Sequence, residues 1–210
     1  MASEVSRRPI HEHDWHSDSY VEEWIGHDLS RDAERRPVLA QMLTQSRLAA
    51  NSAPRVLDVG AGYGVVTEEV LRRFPSARVT LLDYSAPMFE RARARLVNYA
   101  EQIEFLKADL LNSEWTARTG TPFDLAVSAI AIHNLRDHGA IQACYKAIAA
   151  VLRPGAEFLD CDLVSFSGGL EAHLQWLRAA GFADVRCTWQ QSPSAVLHAV
   201  MAGPAKNPGS

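Results

Sequence analysis

The chain has 210 residues, 47% hydrophobic and 22% charged, which suits one α/β domain with a full apolar core and is ordinary for a soluble globule. A formal net charge of −4 excludes overall steering toward nucleic acid or an anionic membrane, and no apolar run approaches the length of a membrane span. The N-terminus (MASEVSRRPIHEHDWHSDS) lacks the apolar core of a secretory signal, and Cys144, Cys161 and Cys187 sit among apolar residues without metal spacing, so free thiols in a reducing, cytoplasmic compartment are expected.

Residues 1–18 form a polar arm holding His11, His13 and His16. Their spacing admits a metal, but a disordered or loosely docked arm is the expected reading and no metal is assigned. Residues 19–50 read as two amphipathic helices, the first marked by Tyr20, Val21, Trp24, Ile25 and His27, the second by Val38, Leu39, Met42, Leu43 and Leu48. Arg31-Asp-Ala-Glu-Arg-Arg36 falls between the two apolar stripes, and Pro37 fits the first turn of the second helix.

The stretch Arg55-Val-Leu-Asp-Val-Gly-Ala-Gly-Tyr-Gly64 organises the rest. Val56, Leu57 and Val59 make a buried strand, and a helical pattern starts directly after Gly64. A strand that turns into a helix through glycines brings bare backbone and a helix N-terminus to a ligand. A dinucleotide fingerprint reads G-x-G-x-x-G; the spacing here is G-x-G-x-G, with Asp58 two residues before Gly60. A carboxylate at the strand tip would repel a pyrophosphate and suit a cation such as an α-ammonium.

Strands and helices alternate from there. Arg78–Asp83, Ile103–Lys107, Phe123–Ser128 and Ala156–Cys161 read as further strands, with a helix from Asp137 to Leu152 closed by Arg153-Pro-Gly155. Such alternation implies right-handed βαβ units and a doubly wound parallel sheet. A helix from Leu170 to Ala180 stops at Gly181. Asp184–Trp189 and Ser194–Met201 then read as strands joined by so few residues that they must be antiparallel.

Asp58-Val-Gly-Ala-Gly-Tyr-Gly64 resembles the first motif of class I, Rossmann-like S-adenosylmethionine-dependent methyltransferases. The terminal hairpin is similar to that core as well, which implies a seven-stranded sheet of order 3-2-1-4-5-7-6 with the last strand antiparallel and helices on both faces. Residues 1–50 are then an N-terminal arm and helical lid, 51–202 the cofactor-binding core and 203–210 a tail. The resemblance implies that Asp58, Gly60, Gly62 and Gly64 meet the cofactor.

Asp83, at the next strand end, can accept hydrogen bonds from both hydroxyls of a ribose, or cap a helix. In similar families Tyr84 and Met88 lie against adenine, although Met88 equally suits the core. Asp109, otherwise a helix cap, is implied to accept from the adenine amino group, with the Leu110 amide on a ring nitrogen. The fourth strand tip, Ser128-Ala-Ile-Ala-Ile-His-Asn-Leu135, resembles the fourth motif of small class I enzymes and places Ser128 and Ala129 at the cofactor. His133 is there the candidate general base, with a structural or cofactor-contact role as the alternative. Methyl transfer from a sulfonium proceeds mainly by proximity and alignment.

The connection Asp162–Gly169 is too short to roof the site. By elimination the N-terminal segment is the lid, with Trp15, Tyr20 and Trp24 as aromatic walls or as plain packing. The expected activity is methyl transfer to a small molecule by a monomer or homodimer. The alternatives are an RNA- or protein-directed methyltransferase, a non-catalytic binding module and a nicotinamide-dependent dehydrogenase.

Overall fold

The apolar run before the glycine turn forms β1 (Arg55–Val59), in which Val56 to Val59 are all buried. Burial on both faces is what a central parallel strand requires. β1 pairs in parallel with β2 (Arg78–Asp83) and with β4 (Phe123–Ala129). β3 (Ile103–Lys107) extends one edge and β5 (Leu152–Asp162) the other, both in parallel. β7 (Ser194–Met201) lies antiparallel between β5 and β6 (Phe182–Gln191), giving the order β3-β2-β1-β4-β5-β7-β6. This is the expected topology. The computed structural model describes residues 13–120 and 122–203.

Strand alternation sorts the core into two layers. Val56, Val79, Leu81, Leu125 and Val127 meet α2 (Asp32–Leu43), α3 (Val65–Arg73) and α4 (Ala86–Arg95) on one face. Leu57, Leu82, Ala126 and Phe158 meet α5 (His138–Val151) and α6 (Leu170–Ala179) on the other. α1 (Asp18–Leu29) adds Val21 to the first layer. Leu39, Met42 and Leu43 anchor α2 by burial, and charge sets its orientation. Arg36 reaches Glu69 at 2.6 Å and Glu68 at 3.0 Å on α3, while Arg35 pairs with Asp28 of α1.

Several boundaries differ from the sequence reading. α2 starts at Asp32, so Pro37 lies inside the helix and not in its first turn. Asp32 and Glu34 favour that earlier start at the positive end of the helix dipole, which offsets the missing proline N–H. α2 ends at Leu43, leaving Leu48 beyond it. Arg153-Pro-Gly155 does not close a helix but begins β5, where the ladder shifts register opposite Phe123 and Leu125. A proline is tolerated in a strand at such an irregularity. β6 starts at Phe182, and only Ser192 and Pro193 separate it from β7.

Candidate functional site

The carboxyl ends of β1 to β4 open onto a cavity of about 400 Å³. Open α/β sheets bind ligands at this edge, where the strand order reverses. One wall is the turn from β1 into α3. Gly60 and Ala61 both donate backbone N–H groups to the Leu82 carbonyl, at 2.8 and 3.0 Å, which folds the turn back onto the end of β2. Gly60 has φ +67°, and a Cβ there would lie 2.4 Å from the Cβ of Ala131 across the cavity floor. Only glycine lets the two loops approach this closely.

Beside this wall stand the acids. Asp83 accepts from the Gly62 and Ser85 backbone N–H groups, each at 2.8 Å. Burial outweighs these bonds and raises its pKa. Burial and the charges of Asp83 and Asp109 push the neighbouring Tyr84 up to about 12, so its phenol stays neutral. Asp109 is exposed and accepts from the Leu111 N–H at 2.9 Å. Met88 and Leu110 supply apolar surface between the acids.

The roof comes from the N-terminal segment. Trp15 and Trp24 line the cavity in edge contact, with ring centroids 5.3 Å apart, and Trp24 meets the Tyr63 ring in turn. Ser85 donates to the Trp15 carbonyl at 2.5 Å, tying this segment to the start of α4. The remaining wall is the loop from β4 to α5, where Ala129, Ile130, Ala131, Asn134, Leu135 and Arg136 face the cavity.

The structure thus brings together Gly60, Gly62, Asp83, Tyr84, Met88, Asp109, Leu110, Ala129, Trp15 and Trp24. Five other candidates lie off the wall. Asp58 is not at the strand tip: it shares the α3 face with Val56, fully buried, and accepts from the Thr67 hydroxyl at 2.6 Å. Its Oδ1 has no partner among the described residues, and burial pushes its pKa up to about 7. Gly64 is buried as the N-cap of α3, and Ser128 is buried with its hydroxyl donating to the Val59 carbonyl at 3.0 Å. Tyr20 makes edge contact with Trp15 and a hydrogen bond with His13 behind the roof. His133 bonds the buried Asp162 through its backbone N–H at 2.8 Å and its Nδ1 at 2.5 Å, pinning the β4–α5 loop to the end of β5.

Residues 56–155 match the methyltransferase domain family. The matched stretch is 100 of the 210 residues, and over it the chain is similar to the class I, S-adenosylmethionine-dependent methyltransferases. Among its relatives, the release factor glutamine methyltransferase of Chlorobaculum tepidum is 39% identical over 90 residues, covering 42% of this chain and 31% of that protein. The trans-aconitate 2-methyltransferase of Paracidovorax citrulli is 34% identical over 110 residues, covering 52% of this chain and 39% of that one. The chain therefore spans about a third of the length of these relatives. Human N-acetylserotonin methyltransferase, solved with S-adenosylmethionine, superposes with a TM-score of 0.69 at 18% identity, covering 93% of this chain and 60% of that one.

Four wall residues, Arg35, Tyr63, His13 and Arg136, are not among the site residues that the sequence singles out. Arg35 was hidden in the charged run read as an inter-helix segment; it bonds Asp32 and the Tyr63 hydroxyl, and its Nε has no partner among the described residues. Nothing in the sequence marks Arg136. No group of three or more His, Cys, Asp or Glu among the described residues could hold a metal, and His11 lies outside them. No helix among them is long and apolar enough to cross a membrane.

Proposed function

We propose that this chain is an enzyme of the EC 2.1.1 type that moves the methyl group of S-adenosylmethionine to a small-molecule acceptor. The observation that carries this reading is the meeting of the bare glycine turn with Asp83 and Asp109 on one roofed cavity. The groups around it match that cofactor. Asp83 and Asp109 would hold its ribose hydroxyls and its adenine amino group as acceptors, with Tyr84 and Met88 as flanking surface. The unpartnered Nε of Arg35 suits an α-carboxylate, and an ammonium above the turn would draw the buried Asp58, with its unpartnered Oδ1, toward the ionised form. When bound, the cofactor supplies an electrophilic methyl on a sulfonium.

The residues of this chain then bind, align and exclude water. Trp15 and Trp24 act as the lid. His133 lies off the cavity wall, and its two hydrogen bonds to Asp162 favour the structural role, holding the β4–α5 loop in place, over that of a general base. The relative named for trans-aconitate and the aromatic roof of Trp15 and Trp24 favour a small acceptor; the relative named for a release factor keeps a protein acceptor as the second reading. Three free thiols support a cytoplasmic setting, with the chain acting as a monomer or homodimer.

Calorimetry with S-adenosylhomocysteine is the test. Wild-type protein binds it in preference to NADH, and Asp83→Ala lowers the affinity by about 100-fold, of the order expected when a buried acceptor pair is lost. Absence of binding, or equal binding of NADH, overturns the reading.

A further inference from the structure

The cavity wall carries side chains of both charges. Asp83 and Asp109 stand at the glycine end, where the cofactor reading employs both. Of the cationic side chains on the wall, Arg35 pairs with Asp28, Asp32 and Tyr63, and the cofactor reading employs its remaining Nε. Arg136, on the β4–α5 loop, has no ion pair or side-chain hydrogen bond among the described residues. His13 is close enough to feel that charge: its pKa is lowered by burial and then by Arg136 and His133. The β4–α5 side of the wall therefore carries one arginine left unassigned.

The backbone under Arg136 is the second observation. It has φ +59° and ψ −42°, and the Asp137 N–H donates to the Leu135 carbonyl at 2.6 Å across it. This is the rare, strained, positive-φ form of the γ-turn. A non-glycine residue held in such a region persists only when its surroundings over-determine it, and such residues cluster at ligand clamps. The surroundings here do so. His133 bonds Asp162 twice, and Asp137 caps α5 by accepting from the Ala140 N–H at 2.8 Å. Arginine is the residue whose planar fork suits a carboxylate.

Resting on the methyltransferase reading, we propose that Arg136 anchors a carboxylate of the methyl acceptor, so the substrate is an anionic small molecule bound with its charge at the β4–α5 loop. Such an acceptor places its negative group on the unpaired arginine and leaves the acids to the cofactor. Trp15, Trp24 and Leu135 enclose its apolar part.

The test uses the full chain and defined probes. S-Adenosylhomocysteine is titrated first; failure there sinks the methyltransferase reading, and the remaining arms then run on the protein alone. Malonate, malonamide and inorganic phosphate are titrated into wild type, Arg136→Gln, Arg136→Lys and Arg136→Gly. Wild type is expected to bind malonate at least 10-fold more tightly than malonamide. Arg136→Gln and Arg136→Gly abolish that preference, Arg136→Lys restores part of it, and binding of S-adenosylhomocysteine is unchanged throughout. Equal affinity of wild type for malonate and malonamide overturns the proposal, as does a malonate affinity in Arg136→Gln within twofold of wild type. Preference for phosphate over malonate assigns the anchor to a phosphate ester and overturns the carboxylate. Circular dichroism confirms folding, and the glycine variant guards against loss of fold, because glycine accepts the left-handed backbone.

Discussion

Two loops face each other across the cavity, and both need left-handed backbone. The β1–α3 turn meets that need with glycines, at φ +67° for Gly60 and +53° for Gly62. The β4–α5 loop meets it with Ile130 at φ +51° and Arg136 at φ +59°. The first wall avoids conformational strain and presents bare backbone. The second accepts strain of roughly 1–3 kcal/mol per residue and presents side chains. The difference separates their tasks: a surface that must be approached closely has no side chain, and a surface that must recognise a particular group keeps one at a conformational penalty.

The largest effect should come from making the first wall resemble the second. Gly60→Ala adds a Cβ 2.4 Å from that of Ala131 and also carries the left-handed penalty. The loops must part, so affinity for S-adenosylhomocysteine should fall by more than about 100-fold and stability by about 2–4 kcal/mol, seen by calorimetry and thermal melting. The double variant Gly60→Ala/Ala131→Gly removes the clash and leaves the φ penalty; it should recover about half of the lost stability. No recovery would mean the contact is not what glycine serves. At Gly62 an added Cβ meets only the Met88 sulfur at 3.9 Å, so Gly62→Ala should be milder for the fold.

The same comparison extends to the acids beneath each wall. Asp162, under the second loop, accepts from His133 twice and from the Leu163 N–H at 2.8 Å. Asp58, under the first, has Thr67 alone and one oxygen without a partner among the described residues. Burial therefore wins, and its pKa rises from 3.8 to about 7. The fold opposes this ionisation, so the unfolded chain releases its proton first and stability declines as pH rises from about 4 to about 7, then levels off. Asparagine cannot ionise. Asp58→Asn should match wild type near pH 4 and be more stable by on the order of 2–4 kcal/mol at pH 8, in denaturant melts at both pH values. It should also weaken S-adenosylhomocysteine binding, because an ammonium loses its counter-charge. A stability gap that does not change with pH would show that Asp58 is not titrating in the fold.

These contrasts also explain what was legible in the sequence. The glycine wall was, because glycine at strand–turn–helix spacing records the backbone it permits. The sheet order was too, since alternating apolar strands, short links and the resemblance all agree. Asp58 was placed too far forward. It was read by its nearness to the turn, whereas the period of two that pairs it with Val56 sends it under α3. Arg153-Pro-Gly155 looked like punctuation and is the irregular start of β5. Arg136 left no trace, because the residues of Asn-Leu-Arg-Asp that readily take left-handed backbone are Asn134 and Asp137, and the strained position falls on the arginine between them. Strain imposed by tertiary bonds is invisible to local propensity.

The smallest effect tests the second wall by making it resemble the first. Arg136→Gly removes the φ penalty, and the greater freedom of glycine in the unfolded chain takes back part of that gain. The net should be a stabilisation of about 1 kcal/mol, a rise of roughly 2–4 °C in the melting temperature of a chain this size. Arg136→Lys keeps both strain and charge, so its melting temperature should stay at the wild-type value. Ile130→Gly loses cavity-wall surface together with strain and should come out near neutral. A protein that gains stability when Arg136 is removed, while losing its preference for malonate, is holding that arginine in place for the ligand. If Arg136→Gly melts lower than wild type, the γ-turn is not strained in solution, and the loop is held by contacts of the arginine that stabilise the fold itself.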